Sequence, residues 1–459
     1  MPFRTIPEAD SRYGLICFDA QGEERRDDPD RSAGDGRMSS RLLECAVTEE
    51  VTNIFLFSHG WMGDVPAAVR QYDAWIGAFA ASSLDRKRAE DVFPGFRPLF
   101  IGLHWPSLPW GDEEIGDGSF AIDGLCNPNA QQLGPDQLFN AYAERLGGKP
   151  EVCDALHIIF DEARRDAAPP ELSGRARDAF LKLNRALGLE ANGPAGAPDS
   201  DREPFDPDAS LRAGDEASFG GYDIFGGMLG LVRLCSYWTM KKRARSIGET
   251  GMHSFVNALQ KATAAGKTRI HLMGHSFGCV VVSSILGGPS GDGSFDRPID
   301  SVVLAQGALS LWSFAPSIPF PGAGAGYFHR VAREGRIRGP LVTTLSRYDT
   351  AVGVQYPRAC VISGEPSFDV TELPKYGAVG TFGLQGVAEQ IRTDCELLPA
   401  DGAYEFQPGR IYNLEASRYI AKGSGSSGAH NDIAGPEVAH AIWQAAFGSV
   451  QRAEIDSRS

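Results

Sequence analysis

The sequence has no apolar run long enough to cross a membrane, and positive charge is scarce in it. Its 459 residues include 44 Lys and Arg against 59 Asp and Glu, which gives a formal net charge of −15. A membrane span needs about 20 consecutive apolar residues, and docking onto nucleic acid or anionic lipid needs clustered positive charge. The sequence therefore argues against stable membrane insertion and against a nucleic-acid partner, and leaves a small-molecule substrate as the expected partner.

The sequence also lacks paired-cysteine motifs and the pattern of a secretory signal. The eight cysteines are scattered, with no C-x-x-C pair and no His/Cys cluster, so neither a metal site nor a disulfide framework is expected. Residues 1–8 lack the charged-then-apolar pattern of a secretory signal. We expect buried, reduced thiols in a cytoplasmic protein, with secretion of a processed form as the open alternative. The Gly-rich segment 322–326 lacks the preceding strand of a phosphate loop, and no cofactor is predicted.

The most informative segment contains a G-x-S-x-G motif formed by Gly274, Ser276 and Gly278. The apolar segment 270–273 precedes it, and residues 279–286 are small and apolar, which predicts a strand, a tight turn and a buried helix. This context is typical of a nucleophile elbow, in which a serine is exposed on a strained turn above a sheet. The two glycines are needed because the strand and helix backbones approach too closely for side chains.

The remainder of the chain alternates short apolar segments with helical ones. This alternation predicts an α/β fold, with a mostly parallel central sheet flanked by helices. The predicted strands are residues 15–18, 53–58, 97–104, 268–273, 300–305, 340–346 and 409–414. The predicted helices are residues 65–81, 237–264, 279–286 and 436–447.

The alternation stops between residues 108 and 234, which we interpret as a large helical cap or lid insertion. It divides the core into a first part, 1–107, and a second part, 235–450, which a polar tail, 451–459, follows. Within the insertion, segments 137–146, 151–165 and 174–189 have helical patterns, whereas 191–216 is typical of a loose loop. The apolar run 218–238 is either a helix packed under the cap or an interfacial segment that contacts lipid.

A serine nucleophile needs a general base that accepts its proton. Where the serine lies on a G-x-S-x-G turn between a strand and a helix, the histidine base follows it in the sequence. Only His329, His430 and His440 come after Ser276. His430 lies in a Gly/Ser-rich loop between the last predicted strand and the last predicted helix, where a general base can reach the elbow. His440 lies inside that helix, and His329 precedes the acid candidate. His430 is therefore the predicted base.

The predicted acid is Asp349, just past the apolar strand that ends near residue 345. A carboxylate at the carboxyl end of a strand can hold the imidazole and fix its tautomer. An ordinary turn-forming Asp is the structural alternative. The other acids considered are Asp296 and Asp300 as the best substitutes, with Asp394 and Asp432 as weaker ones.

An oxyanion hole needs two backbone N–H groups. Phe277, directly after the serine, and Trp61, in a His-Gly turn after an apolar strand, are the predicted donors. Near them, His59, Gly60, Trp105 and Tyr348 are the predicted substrate-binding residues. Aromatic side chains at these loops would suit an apolar acyl group.

Together these residues resemble the α/β-hydrolase superfamily over about 1–110 and 235–447, in particular an uncharacterised bacterial group related to lipases and esterases. The resemblance implies a serine hydrolase that cleaves carboxylic esters through an acyl-enzyme, with Ser276 as nucleophile, His430 as base and Asp349 as orienting acid. The cap of more than a hundred residues departs from the family pattern, so the resemblance does not define the substrate. Acyl transfer or peptide cleavage by the same residues, or a non-catalytic ligand-binding scaffold, are the alternatives.

Overall fold

The computed structural model describes residues 3–6, 9, 11–26, 35–61, 63–108, 135–190, 197–217, 227–263, 268–361, 373–423 and 425–450. They form an α/β structure around one nine-stranded sheet. The strands are β1 (Arg4–Ile6), β2 (Ser11–Cys17), β3 (Asn53–Ser58), β4 (Pro98–His104), β5 (Arg269–His275), β6 (Ser301–Ala305), β7 (Leu341–Leu345), β8 (Arg392–Glu396) and β9 (Ile411–Glu415). Their order across the sheet is β1-β2-β4-β3-β5-β6-β7-β9-β8. All neighbours are parallel except β1 and β2.

Helices lie between most of the strands. They are α1 (Met38–Thr48), α2 (Val65–Ala81), α3 (Ser83–Val92), α4 (Pro135–Arg145), α5 (Pro150–Arg165), α6 (Gly174–Ala186), α7 (Pro207–Ala217), α8 (Gly227–Ile247), α9 (His253–Ala262), α10 (Gly278–Gly287), α11 (His329–Arg333), α12 (Tyr356–Cys360), α13 (Val379–Phe382) and α14 (Pro436–Phe447). Two π-helical turns, Gly248–Met252 and Ala351–Gln355, lead into α9 and α12.

Both faces of the sheet are buried. Successive strand residues point to opposite faces, so each strand contributes side chains to two cores. On β3, Ile54 and Leu56 belong to the core under α1, α8, α9 and α10, whereas Phe55 and Phe57 belong to the core under α2, α3 and α14. The same alternation holds on β6, where Val302 faces the first core and the next residue the second. Strands that are buried on both faces have continuous apolar sequences, which is why the central strands could be predicted from the sequence.

The strand order reverses between β3 and β5. The chain passes from β3 outward to β4, then returns over β3 to β5 and continues in the other direction through β6 and β7. The connections that leave the carboxyl ends of β3 and β5 therefore run in opposite directions. In open α/β sheets, ligands bind at the crevice that such a switch point forms.

The predicted α/β class is confirmed, and several local predictions were incomplete. The edge strands β1 and β8 were missed, because a three-residue strand and the polar strand Arg392–Glu396 lack an apolar run. The helices α1, α3, α11, α12 and α13 were not predicted either. The loose loop predicted for 191–216 is wrong in its last part, where α7 begins with Pro207. The Asp206 carboxylate accepts hydrogen bonds from the N–H groups of Asp208 and Ala209, which starts this helix.

In the described part of the segment between β4 and β5, the predicted helical stretches 137–146, 151–165 and 174–189 fall on α4, α5 and α6. Residues 191–196 and 218–226 of it lie outside the described residues, as do 109–134 and the tail 451–459. The described part of the apolar run, from Gly227 onward, lies in α8 with buried side chains that include Leu231, Val232 and Trp238. The boundary predicted between residues 234 and 235 falls within this continuous helix. No helix in the described part of the chain has the length and apolar character needed to cross a membrane.

The C-terminal helix is joined to α3 by a buried ion pair. His440 Nδ1 lies 2.9 Å from both carboxylate oxygens of Asp85, and its Nε2 lies 2.7 Å from the Gly402 carbonyl oxygen. Both partners are acceptors, so both ring nitrogens donate and the ring is an imidazolium. Burial alone would lower the pKa of His440, but the hydrogen bonds that the ring donates to Asp85 and Gly402 outweigh it and raise the pKa above its ordinary value.

This ion pair predicts a stability that depends on pH. The folded-state pKa of His440 is raised, so the stabilisation is complete below the unfolded value of about 6.5 and is lost as pH rises through the folded value. Relative to the wild type, His440→Gln should lose about 1–3 kcal/mol of unfolding free energy at acidic pH and progressively less at alkaline pH. Thermal denaturation between acidic and alkaline pH measures this, with His329→Gln as control. A wild-type-to-variant difference that is the same at every pH would contradict it.

Candidate functional site

The serine of the G-x-S-x-G motif lies on a strained turn between β5 and α10. Ser276 has a φ of +56°, a left-handed conformation that non-glycine residues rarely adopt. A Cβ atom on Gly274 would come within 2.5 Å of the Gly278 carbonyl oxygen. One on Gly278 would come within 2.2 Å of the Ser58 carbonyl oxygen at the end of β3. The two glycines are therefore required by close backbone approach, and the strain falls on the serine between them.

The turn after β3 lies directly against this serine. A Cβ atom on Gly60 would approach the Ser276 Cβ to 2.7 Å, so only glycine fits there without a shift. The ring of Trp61 packs against that of Phe277, with centroids 5.6 Å apart. Phe277 lies at the N-cap of α10, where the first N–H groups of a helix have no acceptor within the helix. The two residues predicted as oxyanion donors thus lie on adjoining turns on either side of the crevice.

His59 lies beneath the turn and holds it in place. Its Nδ1 donates to the Gly60 carbonyl oxygen at 2.7 Å, and its Nε2 accepts from the Trp105 N–H at 3.3 Å. The Trp105 indole N–H donates in turn to the His59 carbonyl oxygen at 3.1 Å. Burial lowers the pKa of His59 to about 4, so the ring is neutral. The side chains of His59 and Trp105, both predicted to bind substrate, are 1% and 0% exposed and are engaged with each other.

Asp349 and His430 meet across 81 residues of sequence. His430 Nδ1 lies 2.7 Å from Asp349 Oδ2, and both side chains are buried. Asp349 follows β7 and begins the turn that contains the π-helical segment Ala351–Gln355. The Val352 N–H donates to Asp349 Oδ1 at 3.1 Å, which fixes the second oxygen. When Nδ1 donates to a carboxylate, Nε2 is the nitrogen of the same imidazole that can accept a proton.

The Gly/Ser-rich loop before His430 is docked on the turn that carries the acid. The Ala429 N–H donates to the Tyr348 carbonyl oxygen at 2.8 Å, and Asp349 forms an isolated antiparallel bridge with Gly428. Gly428 has a φ of +55°, and a Cβ atom there would approach the Tyr348 carbonyl oxygen to 2.3 Å. The glycine therefore permits the contact between the two loops that brings His430 onto Asp349.

His275, the residue before the nucleophile candidate, connects His430 to the elbow. Its Nε2 donates to the His430 carbonyl oxygen at 2.8 Å, and its Nδ1 accepts from the Gln71 amide at 2.9 Å. The rings of His275 and His430 have centroids 4.8 Å apart. Burial lowers the pKa of His275 to about 3, which keeps this ring neutral. The side chain of Ser276's own neighbour thus contacts both the backbone and the ring of His430.

Sequence reasoning missed two residues of this site, His275 and Gln306. Gln306 directly follows β6, and its Nε2 donates to Asp349 Oδ2 at 2.8 Å. In the sequence, His275 occupies a variable position of the motif and Gln306 ends an apolar strand. Only the position of Gln306 after a central strand, at the same sheet edge as Ser276, was a usable signal.

Aromatic rings pack together next to the turn that carries Ser276. Trp61, Tyr237 and Phe277 form a triangle of rings with centroid distances between 5.1 and 5.6 Å. Tyr237 comes from α8, so the helical segment between β4 and β5 contributes to the site. Tyr348, another predicted substrate contact, is 44% exposed at the outer side of the acid turn.

The other candidate bases and acids have other partners. His329 bonds the Gly326 carbonyl oxygen, and His440 pairs with Asp85. Asp394 accepts from the Asn413 amide, and Asp432 caps the N–H groups of Ala421 and Lys422. Asp296 and Asp300 precede β6, at the opposite edge of the sheet, where Asp300 accepts from the Ile270 N–H. Only Asp349 and His430 are brought to the carboxyl edge together.

Among the described residues, no three His, Cys, Asp or Glu side chains are grouped so as to hold a metal ion. Comparison of the chain with family models, with curated proteins and with solved structures gives no match.

The close approach at Gly278 predicts a large effect of one methyl group. In Gly278→Ala the new Cβ would meet backbone atoms of both Ser58 and His59, which cannot move without shifting β3. We expect a loss of about 1–3 kcal/mol or more in unfolding free energy, as for other overpacked sites, measured by denaturant unfolding.

Gly287→Ala is the matched control in the same helix. A Cβ atom there would lie 3.4 Å from the ring of Phe328, close to an ordinary contact. This variant should be neutral or more stable by up to about 1 kcal/mol, because alanine favours helices over glycine. Equal losses in the two variants would show that the tight approach at the elbow does not matter.

Proposed function

We propose that this protein is a serine hydrolase of the α/β-hydrolase kind that cleaves carboxylic esters through an acyl-enzyme. The observation that carries the proposal is the buried contact between His430 Nδ1 and Asp349 Oδ2, at 2.7 Å, at the same carboxyl edge of the sheet where the strained Ser276 lies at the switch point. A neutral imidazole held on Nδ1 by a carboxylate is a general base, and a serine on a sharp strand-to-helix turn is its usual partner.

In this mechanism the Ser276 oxygen attacks the ester carbonyl while His430 Nε2 takes the hydroxyl proton. The imidazolium that forms is stabilised by Asp349, and it then gives the proton to the departing alkoxide. A water molecule, deprotonated by the same imidazole, attacks the acyl-enzyme, and the serine leaves with the proton. The backbone N–H groups of Phe277 and Trp61 would stabilise the oxyanion of each tetrahedral intermediate.

The remaining predicted residues take supporting roles in this proposal. Gly60 allows the turn to approach the serine, and His59 with Trp105 holds that turn from beneath, as their hydrogen bonds indicate. The acyl group would lie against the rings of Trp61, Tyr237 and Phe277, with Tyr348 at the rim. The helices between β4 and β5 would act as the cap, since Tyr237 of α8 contacts both Trp61 and Phe277.

A fluorophosphonate probe tests the proposal directly. It should label the wild-type protein on Ser276, and Ser276→Ala should abolish both labelling and hydrolysis of p-nitrophenyl esters, because the nucleophilic oxygen is gone. His430→Gln and Asp349→Asn should lower kcat about 10³–10⁴-fold, as loss of a base or of its orienting acid does. The measurements are gel-based labelling and steady-state turnover over a series of acyl lengths.

Ser283→Ala is the matched control, since Ser283 is a fully buried serine on the helix that follows the elbow. It should retain labelling and turnover. Labelling that persists in Ser276→Ala would refute the assignment of the nucleophile. Turnover with an added alcohol and with a peptide panel would show whether acyl transfer or peptide cleavage accompanies hydrolysis.

A further inference from the structure

Gln306 has an unusual backbone conformation directly at the carboxyl end of β6. Its φ is +46°, in the left-handed region, although it is not glycine, and its side chain is fully buried. A left-handed conformation costs a non-glycine residue free energy and persists where the surrounding structure enforces it. The conformation turns the chain at the sheet edge where Ser276 also lies, directly after the neighbouring strand β5.

The side-chain amide of Gln306 has one orientation, because each of its atoms has a defined partner. Nε2 donates to Asp349 Oδ2 at 2.8 Å and faces the Gly380 carbonyl oxygen at 3.4 Å. The Thr344 hydroxyl accepts from the Gln306 backbone N–H at 3.1 Å and donates to Oε1 at 2.9 Å. A flipped amide would place its oxygen against two acceptors, so Thr344 and Gly380 fix the nitrogen on the carboxylate.

Asp349 Oδ2 is therefore shared between two donors, His430 Nδ1 at 2.7 Å and Gln306 Nε2 at 2.8 Å. Sharing has two physical consequences. It prevents rotation of the carboxylate away from His430, and it draws part of the negative charge away from the imidazole. Hydrogen bonds to a buried charged group are among the stronger ones in proteins.

We propose that Gln306, oriented by Thr344, is a positioning residue for Asp349 that sets the basicity of His430. Gln306 touches neither Ser276 nor the predicted oxyanion donors in any hydrogen bond that the structure shows, and it acts through the carboxylate. The role in catalysis rests on the proposed function, whereas the effect on the titration of His430 follows from the contacts alone.

The test replaces Gln306 by Met, which keeps the length of the side chain and removes both amide groups. Without the second donor, the carboxylate interacts more strongly with the imidazolium, so the titration midpoint of His430 should rise. NMR of ¹³C-labelled histidine, with the resonance assigned by His430→Gln, measures this midpoint whether or not the protein turns over an ester. We expect an upward shift of about half a pH unit or more.

For turnover, Gln306→Met should lower kcat about tenfold or more, the size of effect that losing a supporting partner has, with little change in KM. The acid limb of the pH profile of kcat/KM should move upward with the NMR midpoint.

Thr344→Val and Thr343→Val form a matched pair on β7. Thr344→Val removes the hydroxyl that orients the amide, and it should shift the midpoint in the same direction by less than Gln306→Met. Thr343 bonds Asn413 instead, at 3.2 Å, so Thr343→Val should leave the midpoint where it is. If Gln306→Met does not fold, these two variants still test the proposal.

The outcomes separate the two proposals. An unchanged His430 midpoint in both Gln306→Met and Thr344→Val would overturn the role of Gln306, even if the wild type is labelled at Ser276. A wild type that resists the probe but shows the midpoint shift would leave the positioning intact and refute the hydrolase. A fall in kcat without any movement of the acid limb would indicate general loosening of the fold.

Discussion

The hydrogen bond between His430 and Asp349 joins two loops at the carboxyl edge of the sheet, and the candidate site is assembled around it. Its 2.7 Å length and the burial of both side chains mean that each group satisfies the other. If either partner were absent, the other would remain buried without its main partner, at a cost of about 1–3 kcal/mol. Three further contacts hold Asp349 in position for this pair, and they come from Gln306, Val352 and the backbone at Gly428.

The histidines of this region show how environment sets chemical role. His59 and His275 are buried with carbonyl oxygens on one ring nitrogen and N–H donors on the other, so both are neutral. His440 has acceptors on both nitrogens and is charged. His430 alone of the four has a carboxylate on Nδ1 at the carboxyl edge of the sheet where the strained serine lies. Histidine thus makes structural hydrogen bonds, forms an ion pair and provides the proposed base, according to its environment.

Much of the fold and part of the site were predictable from the sequence, because their signals are local. Apolar runs predicted the central strands within about two residues at each end, and two glycines around Ser276 predicted the strained turn. The edge strand Arg392–Glu396 and the helix at Pro207 were missed. The first lacks an apolar face, and the second depends on a side-chain cap that outweighs a composition typical of loops.

The sequence by itself determined the parallel sheet, the elbow and a short set of candidate acids and bases, because periodicity and glycine spacing act over a few residues. Only the tertiary structure decided which acid meets which histidine, since that depends on the strand order that brings β7 and the loop before α14 to one edge. The same long-range packing placed His59 and Trp105 beneath the turn and gave His275 and Gln306 their contacts. Contacts between residues far apart in the chain leave no periodic pattern in a single sequence, so they emerge only when the sheet is assembled.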